Sequence, residues 1–145
     1  MFQHILLPVD GSSSSLMAVE KASGLAQAFG STVTAIYVID PYAFSGVGAD
    51  FAYGQAQYLE AATAEGKEAL KAAAAVLSAA GVTVVTAIIE AHAVYRGILE
   101  TAASVEADLI IMGSHGRRGL EKLVLGSVTA QVLSHAHLPI LVVRD

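Results

Sequence analysis

The segment Leu109–Ser127 reads LIIMGSHGRRGLEKLVLGS, and its first four residues predict a buried β-strand. A glycine-rich stretch begins at Gly113 and ends at Gly126-Ser127, where a helical pattern starts. A strand that passes through a glycine loop into a helix is one repeating unit of a parallel α/β sheet. Further units of this kind are therefore expected on both sides of this segment.

The same alternation of strand and helix recurs along the whole chain. Apolar runs rich in β-branched residues predict five strands, and their near-continuous apolar character indicates strands covered on both faces. The predicted strands are Phe2–Val9, Thr32–Ile39, Val82–Ile89, Leu109–Met112 and Ile140–Val143; the predicted helices are Leu16–Phe29, about Ala56–Ala80, Val94–Glu106 and Val128–Ala136. This order predicts an α/β fold in a single domain, residues 1–145, with an open five-stranded parallel sheet and helices on both faces.

Composition limits the class of protein. The chain has no cysteine, which excludes disulfides and thiolate metal sites. Its net charge of −5 argues against broad binding to nucleic acid or to anionic membrane. The longest stretch without Asp, Glu, Lys or Arg, Leu123–Val143, contains several polar residues and a proline, and the first ten residues lack a basic signal-peptide start. We therefore expect no membrane insertion and a cytoplasmic location.

One connection is unusually long for a compact domain. Asp40 to about Gln55 shows no clear periodicity, and loops of this length are usually functional or disordered. Five of the nine aromatic residues lie between Tyr42 and Tyr58, which argues against simple disorder. The segment is either a loop that fills a gap or a subunit contact, or a cover over a ligand.

The residues around the glycine loop indicate a phosphate site. Gly113, Gly116 and Gly119 allow the backbone to approach a ligand closely, and the helix that starts at Gly126-Ser127 directs amide N–H groups toward an anion. Three of the eight basic residues, Arg117, Arg118 and Lys122, lie in the same loop. The spacing G-x2-G-x9-G-[S/T] is met, whereas no P-loop, dinucleotide-binding or nucleophile-elbow motif is present.

With these motifs the sequence resembles the universal stress protein family, specifically its ATP-binding branch. The resemblance covers nearly the whole chain. Its most specific segments are HILLPVDGS (His4–Ser12), YVID (Tyr37–Asp40), ADLIIMGSHGRRGL (Ala107–Leu120) and LGSVTAQVLSHAHLPILVVR (Leu125–Arg144). It implies a Rossmann-like, adenine nucleotide alpha hydrolase-like sheet with strand order 3-2-1-4-5.

The resemblance also implies a ligand and a site. It implies ATP or AMP as the ligand. Apart from the resemblance, Asp10 is the one carboxylate at this site that could face an accompanying Mg²⁺, through water. Asp10 would approach the adenine or ribose, Val38 would bond the adenine through its backbone, and Gly113 would lie against the ribose. The full predicted set is Pro8, Val9, Asp10, Val38, Met112, Gly113, Ser114, His115, Gly116, Arg117, Arg118, Gly126, Ser127 and Val128. Family members commonly form homodimers through the last strand, here residues 139–143.

Several residues have a structural alternative. Asp10 is either a ligand contact or a cap of the first helix, and Ser127 is most simply an N-cap, with nucleophilic or autophosphorylated serine as the alternative. His115 is either a site residue, which hydrogen-bonds phosphate or acts as an acid or base, or an exposed loop histidine. We expect His135 and His137 to interact with the C-terminal end of the helix dipole and not to bind a metal ion.

The leading functional hypothesis is that the protein is an ATP-binding regulator of the stress response, a nucleotide-sensing dimer with an unknown protein partner. The alternative is that it is an enzyme that slowly hydrolyses ATP or phosphorylates itself at the same site.

Overall fold

The structure is a computed structural model that describes residues 1–43, 49–115 and 125–145. These residues form five strands and four α-helices. The strands are β1 (His4–Pro8), β2 (Thr32–Ile39), β3 (Val84–Glu90), β4 (Leu109–Gly113) and β5 (Ile140–Val143); the helices are α1 (Ser13–Phe29), α2 (Ala49–Ala79), α3 (Val94–Ser104) and α4 (Ser127–His135).

The strands form one sheet in the order β3-β2-β1-β4-β5, and every neighbouring pair is parallel. The predicted fold class, strand order and parallel sheet are therefore confirmed. From β1 the chain adds β2 and β3 on one side of the sheet and then β4 and β5 on the other side. The carboxyl ends of β1 and β4 therefore flank the switch point of the sheet.

The core has two halves, one on each face of the sheet. Side chains alternate along β1, so that Ile5 and Leu7 join the half covered by α1 and α2 while Leu6 joins the half covered by α3 and α4. Each of these three side chains is fully buried. Burial on both faces explains the continuous apolar runs of the central strands.

Helix α1 begins after a serine cap and ends at a glycine, as its sequence indicates. The hydroxyl of Ser12 accepts the amide N–H of Ser15 at 3.1 Å and caps the helix. At the other end Gly30 has a φ of 68°, the left-handed conformation that glycine adopts without steric cost.

The connection after β2 differs from the prediction. A 3-10 turn occupies Pro41–Ala43 and α2 begins at Ala49, so much of the predicted loop Asp40–Gln55 is helical. The alanine-rich sequence that follows favours extension of the helix toward its N-terminus, since each added residue gains one backbone bond. The side-chain amide of Gln55 donates to the carbonyl of Pro41 at 2.9 Å and ties the turn to the helix. Residues 44–48 lie outside the described residues.

None of the helices in the described ranges combines the length and the apolar character needed to cross a bilayer.

Candidate functional site

A cavity of about 350 Å³ opens at the carboxyl edge of the sheet, beside the switch point. The ends of β1, β2 and β4 form its floor, and α3 and α4 form one side. Open parallel sheets bind ligands at this position. Eight predicted site residues line the cavity: Pro8, Val9, Asp10, Val38, Met112, Gly113, His115 and Val128.

The other predicted residues lie elsewhere. Ser114 is fully buried behind the cavity wall. Gly126 and Ser127 stand at the start of α4, next to Val128. Gly116, Arg117 and Arg118, together with Gly119 and Lys122, lie outside the described residues.

Asp10 forms a turn between β1 and α1. Its carboxylate accepts the amide N–H of Ser12 at 2.9 Å, and its own N–H donates to the hydroxyl of Ser15 at 3.2 Å. Gly11 makes the turn possible with a φ of 81°. The helix cap is Ser12, so Asp10 shapes the approach to α1 without capping it, and it contributes to the cavity wall.

Gly113 ends β4 and lies against Ser14 of α1. A Cβ at this position would stand 2.8 Å from the carbonyl carbon of Ser14, a separation that real Cβ atoms do not tolerate. The hydroxyl of Ser14 accepts the N–H of Ser114 at 2.9 Å and donates to the carbonyl of Val143 at 3.4 Å. The glycine is thus needed for the packing of α1 on β4, a requirement that the glycine spacing alone did not reveal.

His115 contributes a polar side chain to the cavity wall. Its Nδ1 lies 3.0 Å from the hydroxyl of Ser114 and 3.8 Å from the carboxylate of Asp145, and only 9% of the side chain is exposed. Its Nε2 is buried and has no hydrogen-bond partner among the described residues. A buried polar nitrogen without a partner is costly, so this atom is suited to a ligand. The structure therefore favours a site role over an exposed loop histidine.

Asp145 was missed by sequence analysis. It reaches His115 across 30 positions of the chain because β5 lies beside β4, and no local motif marks that contact. Its carboxylate also accepts the hydroxyl of Ser13 at 3.4 Å. Asp145 therefore joins the last strand to both the β4 loop and the start of α1.

The start of α4 has backbone N–H groups that have no acceptor within the helix. Gly126 is the N-cap and Ser127 the first helical residue, so the prediction of Ser127 as N-cap is wrong by one position. The reason is that the N–H of Gly126 donates to the carbonyl of Ser114 at 2.8 Å, which fixes Gly126 in extended backbone. Glycine supplies no side-chain cap, and the first intrahelical bond comes from Ala130. The preceding N–H groups are available to an anion.

The part of the cavity wall formed by α3 is apolar. Val94 and Ile98 of α3 line the cavity together with Val38 of β2. The helix comes this close because Gly97 has no side chain: a Cβ there would lie 2.7 Å from a methyl carbon of Val38. The cavity thus has one polar end and one apolar end.

A second cavity, of about 490 Å³, lies between α1 and α2. Its walls are largely apolar, and the charged side chains that line it are Glu65 and Glu68. Two carboxylates repel a phosphate, whereas the cavity at the switch point combines His115 with the start of α4. The smaller cavity is therefore the better candidate for an anionic ligand.

Comparison with known proteins identifies the family. Residues 1–144 match the model of the Universal stress protein family. The chain belongs to the universal stress protein family. A universal stress protein of Methanocaldococcus jannaschii is 38% identical over 144 residues, which is 99% of this chain and 83% of that protein.

Solved structures of universal stress proteins share the fold. The protein UspA from Lactobacillus plantarum superposes with a TM-score of 0.86 at 26% identity, over 98% of this chain and 97% of that one. A universal stress protein solved in complex with cAMP has a TM-score of 0.69 at 26% identity, over 99% of this chain and 97% of that one.

Proposed function

We propose that this universal stress protein binds ATP in the cavity at the switch point and acts as a nucleotide-sensing regulator. Two features at one end of that cavity carry the proposal: the buried Nε2 of His115, which has no hydrogen-bond partner in the part of the chain that the structure describes, and the start of α4, which has no side-chain cap there. The backbone N–H groups at a helix start donate to phosphate oxygens, and Nε2 of His115 does so when its Nδ1 accepts the hydroxyl of Ser114 or when the ring is protonated. The related protein in complex with cAMP supports an adenine nucleotide as the ligand.

The two ends of the cavity divide the ligand between them. The adenine would lie at the apolar end, bonded by the backbone of Val38, and the ribose near Gly113 and Asp10. The phosphates would lie against His115 and the amides that follow Gly126. From the part of the loop outside the described residues, Gly116, Arg117 and Arg118 are proposed as further phosphate contacts, with Asp10 as the carboxylate that faces an accompanying Mg²⁺ through water.

The walls of the cavity support a binding function over efficient catalysis. Among the described residues, no group of three His, Asp or Glu side chains is placed to hold a metal ion. Ser127, the alternative nucleophile, is exposed at the start of α4. We therefore propose regulation through occupancy of the site, which requires that two states of the protein bind the nucleotide with different affinity.

The proposed assembly is a homodimer through residues 139–143. β5 is an edge strand, and the amide and carbonyl groups of Ile140 and Val142 face away from β4, because Pro139 and Val143 are the residues that bond toward it. Leu141 is 38% exposed on the same strand. A second copy would pair with these groups and cover the edge.

The direct test is to denature the purified protein, identify any released nucleotide, and titrate the nucleotide-free protein with ATP by calorimetry. We expect bound adenine nucleotide or saturable ATP binding, with AMP and cAMP as competitors. Absence of heat up to millimolar ATP, with no nucleotide released, would exclude the proposal.

A further inference from the structure

Asp40 joins two parts of the chain at the apolar end of the cavity. It directly follows β2, and one carboxylate oxygen accepts the amide N–H of Tyr42 at 2.8 Å. The other oxygen accepts the amide N–H of Ala93, 53 positions away, at 3.3 Å. The side chain is 22% exposed; the bond from Ala93 is partly buried, whereas the bond from Tyr42 lies at the surface. We call this arrangement the Asp40 bridge.

The Asp40 bridge ends on a strained residue. Ala93 has a φ of 95° and a ψ of 126°, a conformation that a residue with a Cβ rarely adopts. Such a residue persists only when its surroundings hold it. Two residues before it, the N–H of Ala91 donates to the carbonyl of Ile39 at 3.0 Å. The N–H of Ala93 itself donates to the carboxylate of Asp40.

Ala93 determines where α3 begins. It is the N-cap residue of that helix, and its carbonyl accepts the N–H of Gly97 at 3.3 Å. The next residue, Val94, lines the cavity, and so does Ile98 one turn later. The direction of the chain at Ala93 therefore sets the distance of this apolar wall from Val38.

We propose that Asp40 is a positioning residue for the base end of the nucleotide site. By holding Ala93, it fixes the first turn of α3, and with it Val94, in the apolar wall against which the base would lie. Asp40 itself need not touch the ligand. This inference rests on the proposed function, ATP binding, and adds to it a residue outside the predicted site.

The test separates the base end from the phosphate end. We would measure the affinity of ATP and of inorganic triphosphate for the wild-type protein and for Asp40→Asn and Asp40→Ala. Asn keeps the volume but has one acceptor oxygen in place of two, so it retains at most one of the two bonds. We expect ATP to bind about tenfold more weakly to Asp40→Ala, and triphosphate within about twofold of the wild type, because only the base end is altered.

The chain offers a matched control. Asp108 also accepts two backbone N–H groups, from Gln3 at 2.9 Å and His4 at 3.0 Å, but it lies at the opposite edge of the sheet. Asp108→Asn makes the same chemical change and should leave the affinities for both ligands unchanged. A loss of ATP affinity equal to that of Asp40→Asn would show a general loss of structure and overturn the inference.

The remaining outcomes are also decisive. If wild-type protein binds ATP and both Asp40 variants bind it equally well, the Asp40 bridge has no positioning role while the proposed function stands. If the variants lose ATP and triphosphate in equal measure, the effect is not confined to the base end and the inference fails. If wild-type protein binds triphosphate without preference for ATP, the proposed function fails first and the inference with it.

Discussion

Gly113 shows how a single position serves two purposes. It lines the cavity, and its missing side chain also admits Ser14 of α1 against β4. The nearest atoms are the Oγ, the carbonyl carbon and the Cβ of Ser14, and a rotamer change of Ser14 would move only the Oγ, so a larger residue at Gly113 still meets the other two atoms. The packing requirement acts whether or not a ligand is bound.

Gly113→Ala should therefore lower the free energy of unfolding by about 1–3 kcal/mol, the usual cost of overpacking. Urea denaturation of the ligand-free protein measures it. Gly24→Ala is the matched control: Gly24 lies within α1, and a Cβ there meets nothing within 4 Å. That variant should gain about 0.5–1 kcal/mol, because alanine favours the helix. An unchanged free energy of unfolding in Gly113→Ala would show that α1 can move away from β4 at little cost.

At the scale of elements, α4 connects the fold to the proposed phosphate end. Its start is fixed by the bond from Gly126 to Ser114 and by the hydroxyl of Thr129, which donates to the carbonyl of Gly113 at 2.9 Å. Both bonds join α4 to the end of β4. The helix therefore keeps its first amides beside His115 without a side-chain cap.

Gly126→Asp separates stability from binding. Aspartate is a favourable N-cap residue and Gly126 already has extended backbone, so the fold should be retained or slightly stabilised. The new carboxylate would repel phosphate by ~4 kcal/mol at about 4 Å and an effective dielectric constant of 20. ATP affinity should fall by more than about tenfold, which corresponds to 1.4 kcal/mol.

Calorimetry with ATP checks this prediction, and thermal unfolding checks the fold. Gly24→Asp adds the same charge at an exposed position of α1 and serves as the control. Unchanged affinity in Gly126→Asp would place the phosphates away from α4.

The elements also show how far the sequence allowed prediction. The type and order of the strands and helices were predictable because continuous apolar runs and helix-ending glycines are local signals, as at Gly30. The early start of α2 was not predicted, since residues 49–55 lack periodicity and are helical through extension of the alanine-rich segment.

For the site, motif spacing predicted the loop that contains His115 but not its partner. Asp145 meets His115, and Asp40 meets Ala93, through strand order and helix placement, which no spacing along the chain encodes. The strain at Ala93 had no sequence signal, because alanine is an ordinary residue to find before a helix.

At the scale of the whole molecule, Asp108 links β1 to β4 at the amino ends of these strands, away from the cavity at their carboxyl ends. Burial acts to raise the pKa of this carboxyl, but the N–H groups of Gln3 and His4 outweigh it and hold the pKa below its ordinary value of 3.8. A lowered pKa in the folded state means that the ionised carboxylate stabilises the fold above the unfolded-state pKa. This contribution is lost as the pH falls through the folded-state pKa.

Asp108→Asn should therefore be less stable than wild type at pH 7, and the difference should shrink as the pH falls below about 4. Urea denaturation at a series of pH values measures it. Glu60→Gln, at an exposed position of α2, is the control. A difference that stays constant from neutral to acidic pH would contradict the assignment.

The proposed dimer should depend on one edge strand of the sheet, β5, and not on the other, β3. Leu141→Glu places a charge on β5 and should convert a dimer to the mass of one 14.9 kDa chain. Light scattering after size exclusion measures the mass. Val85→Glu, on the opposite edge strand, where Val85 is 59% exposed, should leave the dimer intact. The reverse result would move the interface to β3.

The contact of His115 with Asp145 has a consequence for cooperativity. The same short strand, β5, bonds through Val143 to Ser114 and Ser14, neighbours of the proposed phosphate end, and carries the proposed dimer edge. Two equilibria that share a structural element are thermodynamically linked, and the linkage is reciprocal. If nucleotide tightens self-association by a given factor, self-association must tighten nucleotide binding by the same factor, so the apparent affinity of this protein would depend on its own concentration.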